Sequence, residues 1–173
     1  EQTLDDRLKN IQEELNIEEI FYVGTCNRVE FIFTTPQTVD RAFTEDFLRV
    51  LDMGLPEEYM EAFVDNVSVY EKVEAFNHLL RTSCSLESLV VGEKEILAQI
   101  RKAYENCRLA GFTGDGLRTI MDRVVKTAKE VYTNTNISKN PVSVVSLAYR
   151  KLRDLSMCAN SRLLIIGSGE TNK

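Results

Sequence analysis

The sequence predicts an α+β fold: a small two-layer α/β unit, then a helical subdomain, then the first strand of a truncated Rossmann-type domain. Three observations carry that expectation. Apolar residues alternate on either side of V-G-T-C-N-R, at Val23–Arg28, as they do in paired strands. From Glu71 onward the apolar spacing turns helical. Near the end, L-L-I-I runs straight into G-S-G-E-T-N, as a buried parallel strand runs into a glycine turn.

The elements follow in order. Thr3 with Asp6 forms a capping-box pattern, and Leu4, Leu8, Ile11 and Leu15 recur at helical spacing behind it. Ile20 to Val23 is bulky and β-prone; Val29, Phe31 and Phe33 then alternate with Glu30, Ile32 and Thr34, which predicts a half-buried second strand. Thr35-Pro36 is expected to open a helix carrying Val39, Phe43, Phe47, Val50 and Leu51, ended by Gly54-Leu55-Pro56. Val67 to Tyr70 reads as a short strand. The order α-β-β-α-β implies a two-layer unit whose leading strand is missing.

Three helices follow: one on Val73, Phe76, Leu79 and Leu80, one on Ile96, Ile100, Ala103 and Cys107 stopping at Gly111, and one from Leu117 to Val131. The polar run Thr133 to Asn140, closed by Pro141, reads as a boundary. A helix over about Val142 to Leu155 then precedes the strand Leu163 to Ile166. The expected units are residues 1–70, 71–140 and 141–173.

Composition bounds the function. With 173 residues, 43% hydrophobic and 28% charged, the chain has the make-up of a soluble globular protein. No apolar run approaches the ~20 residues that span a bilayer, and no secretory pattern is present. Four cysteines without a C-x-x-C pair, together with one His, argue against a zinc cluster. Free thiols in a reducing cytoplasm are the expectation. The first residue is Glu1 and the last lies inside the glycine turn, so the chain reads as a piece of a longer protein.

A net charge of −6 argues against loose, sequence-independent nucleic-acid binding. The charge is uneven, however: residues 1–24 carry seven acids against two bases, and residues 94–130 eight bases against five acids. That basic segment is either a solvated helix surface or a contact surface for a polyanion.

Two residues stand out chemically. Cys26 lies on a tight polar connection two residues before Arg28, and a nearby cation lowers a thiol's pKa from ~8.5 toward the reactive thiolate. The alternative is a small buried structural cysteine. His78 follows an apolar helical pattern and is either a packed residue or a catalyst. The stretch Ser85 to Glu93 mixes hydroxyls, acids and an apolar run before a strong helix, either as a capped interhelical turn or as part of a site.

Taken together, T-C-N-R-V-E at Thr25–Glu30, H-L-L-R at His78–Arg81, E-S-L-V-V-G-E-K-E-I-L-A-Q at Glu87–Gln99, P-V-S-V-V-S-L-A at Pro141–Ala148 and I-G-S-G-E-T at Ile166–Thr171 resemble the glutamyl-tRNA reductase family. The resemblance implies NADPH-dependent reduction of glutamyl-tRNA to glutamate-1-semialdehyde through a cysteine thioester, the first step of five-carbon tetrapyrrole synthesis. It implies Cys26 as nucleophile and His78 as its acid/base neighbour. Thr25, Asn27, Arg28, Ser88, Glu93, Lys94, Glu95 and Gln99 match substrate-contact positions. Gly167, Ser168, Gly169, Glu170, Thr171 and Asn172 match the start of the NADPH loop. As partners it implies glutamyl-tRNA, glutamate-1-semialdehyde aminomutase by family analogy, and a second subunit joined through a domain this chain lacks. This piece is expected to keep only the acyl-transfer half of the reaction.

The sequence departs from the family in places. The family usually has Gly where Ser85 stands, Asp where Glu87 stands, and Pro-Gln where Lys94-Glu95 stand. Two readings of another class remain beside it: a Cys-dependent acyl transferase or thioesterase, and a non-catalytic RNA-binding module.

Overall fold

The computed structural model describes residues 3–25, 28–51, 54, 56–88, 91–92, 95–137 and the backbone of 144–154, with side chains from 149 in that last helix. The described chain is mainly helical: α1 (Leu4–Leu15), β1 (Glu19–Gly24), β2 (Val29–Thr34), α2 (Arg41–Leu51), α3 (Glu57–Val64), α4 (Lys72–Ser83), α5 (Glu95–Leu109), α6 (Asp115–Asn134) and α7 (Val144–Asp154). The glycine turn and the strand expected before it lie outside the described residues.

The start of α1 follows the capping-box pattern. Asp6 N–H donates to Thr3 Oγ1, and Thr3 N–H donates to the Asp6 carboxylate at 2.9 Å. Leu8, Ile11 and Leu15 are buried at the predicted spacing, while Leu4 lies outside the core.

β1 and β2 form a two-stranded antiparallel hairpin in which Glu19 faces Thr34 and Gly24 faces Val29. Side chains alternate between its two faces. One face carries Tyr22, Phe31 and Phe33, and both phenylalanines pack on Phe47 of α2. The opposite face carries Phe21, which meets Tyr104 of α5 edge-on at 5.6 Å between centroids. The hairpin is thus packed by helices on both faces, and the main core runs from Leu8 to Val124 through it. Val29, at the hairpin's open end, is exposed despite its place in the alternation.

Two segments differ from the sequence expectation. The second helix begins at Arg41, capped by Asp40, whose carboxylate accepts from Phe43 N–H at 2.9 Å. Thr35 and Gln37 instead cap the end of α1, donating to the carbonyls of Asn16 and Leu15. Satisfying those orphan carbonyls holds residues 35–39 off the helical path. The expected strand over Val67 to Tyr70 is not a strand: among the described residues the sheet consists of β1 and β2. Val67 packs instead on a satellite cluster of Leu48, Met60 and Val64. Met60 and Val64 belong to α3, which the sequence reading missed; eight residues give too short an apolar pattern to stand out.

A distant side chain fixes α6. The Glu19 carboxylate accepts backbone N–H groups from Gly114, Gly116 and Leu117 at 2.8–3.0 Å, so β1 caps a helix that starts 95 residues later. An anion there also answers the positive end of the helix dipole.

Candidate active site

The hairpin brings residues 25 and 28 together. Thr25 N–H donates to the Arg28 carbonyl at 2.9 Å, closing the connection that holds Cys26 and Asn27, which themselves lie outside the described residues. In an extended strand Arg28 and Glu30 share a face, and Arg28 Nη1 donates to Glu30 Oε1 at 3.1 Å. Both side chains are largely buried, 14% and 17% exposed, so water screens this pair little.

Helix α4 lies across that pair. His78 and Thr82 are one turn apart and project on one side of the helix. His78 Nε2 sits 3.1 Å from the same Glu30 Oε1, and Thr82 Oγ1 accepts from Arg28 Nη1 at 2.9 Å. A carboxylate only accepts, so in neutral His78 the proton resides on Nε2 and Nδ1 is left as an acceptor. The Tyr70 ring stacks on the imidazole, 4.3 Å between centroids and 11° between planes, which fixes its orientation. Glu30 is therefore the hub of the cluster, and the sequence reading did not single it out. Its place two residues after an arginine on a half-buried strand, among aromatic neighbours, was the available signal.

The turn after α4 completes the cage. Ser85 N–H donates to Thr82 C=O and Leu86 N–H to Arg81 C=O, both at 2.9 Å, with Ser85 at φ +61. This is the left-handed helix-terminating motif in which glycine is free of strain. It gives a physical reason for glycine where the resembled family carries it and this chain has serine. The turn sends the chain back so that the Glu87 carbonyl accepts from Arg28 Nη2. The Glu87 side chain pairs with Arg81, and that hydrogen bond holds its carboxyl below the usual carboxylate range.

Arg28 is thus held by Glu30, Thr82 and the Glu87 backbone, yet its Nε makes no hydrogen bond among the described residues. Ser88 follows Glu87 and is partly buried. Glu95 and Gln99 lie on the exposed first turns of α5, where Gln99 Nε2 donates to Glu95 at 3.3 Å. Glu93 and Lys94 lie outside the described residues, as do Gly167, Ser168, Gly169, Glu170, Thr171 and Asn172. Of the cysteines that are described, Cys84 and Cys107 are buried, and burial pushes both thiols up, away from reactivity.

The family profile described as "Glutamyl-tRNAGlu reductase, N-terminal domain" matches residues 1–135. The chain belongs to the glutamyl-tRNA reductase family. It is 34% identical over 163 residues to the glutamyl-tRNA reductase of Campylobacter jejuni, covering 94% of this chain and 37% of that protein. Glutamyl-tRNA reductase 1 of Pyrobaculum arsenaticum is 29% identical over 89% of this chain and 37% of its own length. Among solved structures, glutamyl-tRNA reductase from Methanopyrus kandleri superposes with a TM-score of 0.66 at 27% identity, over 89% of this chain and 35% of that one. The chain therefore spans under two-fifths of the length of these reductases. Its mainly helical architecture around a two-stranded sheet is that of the family's amino-terminal part, and no described helix is long and apolar enough to cross a membrane.

Proposed function

We propose that this chain carries the acyl-transfer site of a glutamyl-tRNA reductase. The observation that supports it most is the Arg28–Glu30–His78 cluster, in a family member whose Arg28 closes the T-C-N-R motif in sequence. Cys26 is the nucleophile. Its thiol gives its proton to a base, a role for which His78 Nδ1 is the candidate, and the thiolate attacks the glutamyl ester carbonyl. A C–S bond forms, the ester C–O bond breaks, and the proton passes to the departing ribose oxygen, leaving a thioester and free tRNA. Arg28, held on three sides, offers Nε and the remaining Nη2 hydrogen as a fork for the substrate's free carboxylate, with Thr25, Asn27 and Ser88 around it.

NADPH, when bound, supplies the hydride that releases glutamate-1-semialdehyde. Because the residues matched to it, Gly167 to Asn172, lie outside the described residues, no step is derived through it. Glu93, Lys94, Glu95 and Gln99 are proposed to contact the substrate, the last two from the first turns of α5, and the aminomutase and a second subunit are proposed partners of the longer protein in the cytoplasm.

The test is a covalent one. Glutamyl-tRNA labelled in its amino acid should leave a glutamyl adduct on Cys26, lost in Cys26→Ser and retained in Cys84→Ser, Cys107→Ser and Cys158→Ser. An undiminished adduct in Cys26→Ser would end this assignment.

A further inference from the structure

The basic segment that the sequence left ambiguous resolves into two facing stripes. On α5, Arg101, Lys102 and Glu105 fall at helical spacing; on α6, Asp122, Lys126 and Lys129 do the same. These six line a groove of about 690 Å³ between the two helices, with Met121 and Val125 among its apolar members. All four cations are exposed.

The groove is lined by four cations and two carboxylates. Glu105 is paired with Arg108 through two hydrogen bonds, at 2.8 and 2.6 Å, whereas Arg118, 3.8 Å from Asp122, is hydrogen-bonded to Asp115 at 3.0 Å. Neither Arg108 nor Arg118 lines the groove. Arg101, Lys102, Lys126 and Lys129 form no ion pair among the described residues. Four positive charges against two carboxylates therefore leave a local positive excess on one concave strip of a protein whose net charge is −6. Such an excess attracts a polyanion.

We infer that the α5–α6 groove docks the phosphate backbone of an RNA. Flexible ammonium and guanidinium groups on two neighbouring helices suit a row of phosphates. The inference rests on the proposed function in that the RNA is the carrier of the glutamyl ester, and it assigns to that carrier a surface separate from the Arg28–Glu30–His78 cluster.

The experiment measures binding of a deacylated tRNA transcript to the 173-residue chain across salt concentrations, for the native chain and for Lys126→Gln, Lys129→Gln and the fourfold Arg101→Gln/Lys102→Gln/Lys126→Gln/Lys129→Gln variant. Each lysine replaced should reduce the magnitude of the log K against log salt slope by about 1, and the fourfold variant should bind at least about tenfold more weakly at physiological salt. Unchanged slope and affinity in the fourfold variant, with its helicity intact by circular dichroism, would overturn the inference. Acylation of Cys26 by a small glutamyl thioester, which carries no RNA, should proceed at the native rate in the fourfold variant. Failure of that acylation in the native chain counts against the Cys26 assignment alone, and the salt slope still decides the groove.

Discussion

Replacing Glu30 by glutamine isolates the hub of the site. The side chain keeps its size, but its one shared oxygen, which now serves Arg28 and His78 at 3.1 Å each, loses its charge. The Glu87 carboxylate cannot take over, because Arg81 holds it. Arg28 keeps Thr82 and the Glu87 carbonyl and loses its buried counter-charge. A hydrogen bond to a charged group contributes about 1.5–3 kcal/mol net and a neutral one about 1 kcal/mol, so two weakened bonds with partial retention give a loss of roughly 2 kcal/mol. For a domain of this size that lowers Tm by about 4–8 °C. If the same geometry aligns the reacting groups, acylation of Cys26 should slow by at least about tenfold, since each 1.4 kcal/mol of barrier is a factor of ten. Two assays report separately. Thermal melting reads the stability loss. Because His78 is the only histidine, a single set of imidazole nitrogen resonances at pH 9 reads the tautomer: Nε2–H in the native chain, and a mixture in Glu30→Gln. A native Tm together with an unchanged tautomer would show that Glu30 holds neither partner, and the account of the site would fall.

Other outcomes follow from neighbouring geometry. Arg28→Lys removes the fork and two of the bonds to Thr82 and Glu87, and should cost about 1–3 kcal/mol in transition-state stabilisation, read as a lower kcat/KM for acylation; native kinetics would make Arg28 a purely structural strut. Gly116→Ala places a methyl group 2.7 Å from Glu19 Oε1, so the cap on α6 must open, and a loss of about 1–2 kcal/mol is expected in urea unfolding; a neutral result would show that Glu19 shifts freely. At alkaline pH the buried phenol of Tyr132, pushed up to about 12 by burial and by Cys84, stays protonated in the fold after its unfolded counterpart has ionised near 10. The folded state then holds the extra proton, so stability should fall between about pH 10 and 12, and Tyr132→Phe should flatten that stretch of a Tm–pH profile. A profile identical to the native one would remove Tyr132 as the cause.

What the sequence determined by itself is local. Thr3 and Asp6 cap α1 because a hydroxyl and a carboxylate three residues apart satisfy each other's backbone groups wherever the chain goes next. The hairpin, α4, α5, α6 and the backbone of α7 were legible for the same reason: apolar periodicity needs only neighbours in sequence. Cys26, Arg28 and His78 stood out by residue type and local position, and the family motif gave them roles. Tertiary structure decided everything that depends on a partner far along the chain. It moved the start of α2 to Asp40 by spending Thr35 and Gln37 on the end of α1, and it left Val67 to Tyr70 without a strand to pair with. It also made Glu30 the centre of the site, since Arg28 on its own strand and His78, 48 residues away, meet on one oxygen only after α4 has crossed the hairpin. The meeting of Arg101 and Lys102 on α5 with Lys126 and Lys129 on α6 along one groove was likewise decided by how the two helices pack. Sequence fixes the charges, but Coulomb energy depends on distances that only packing sets.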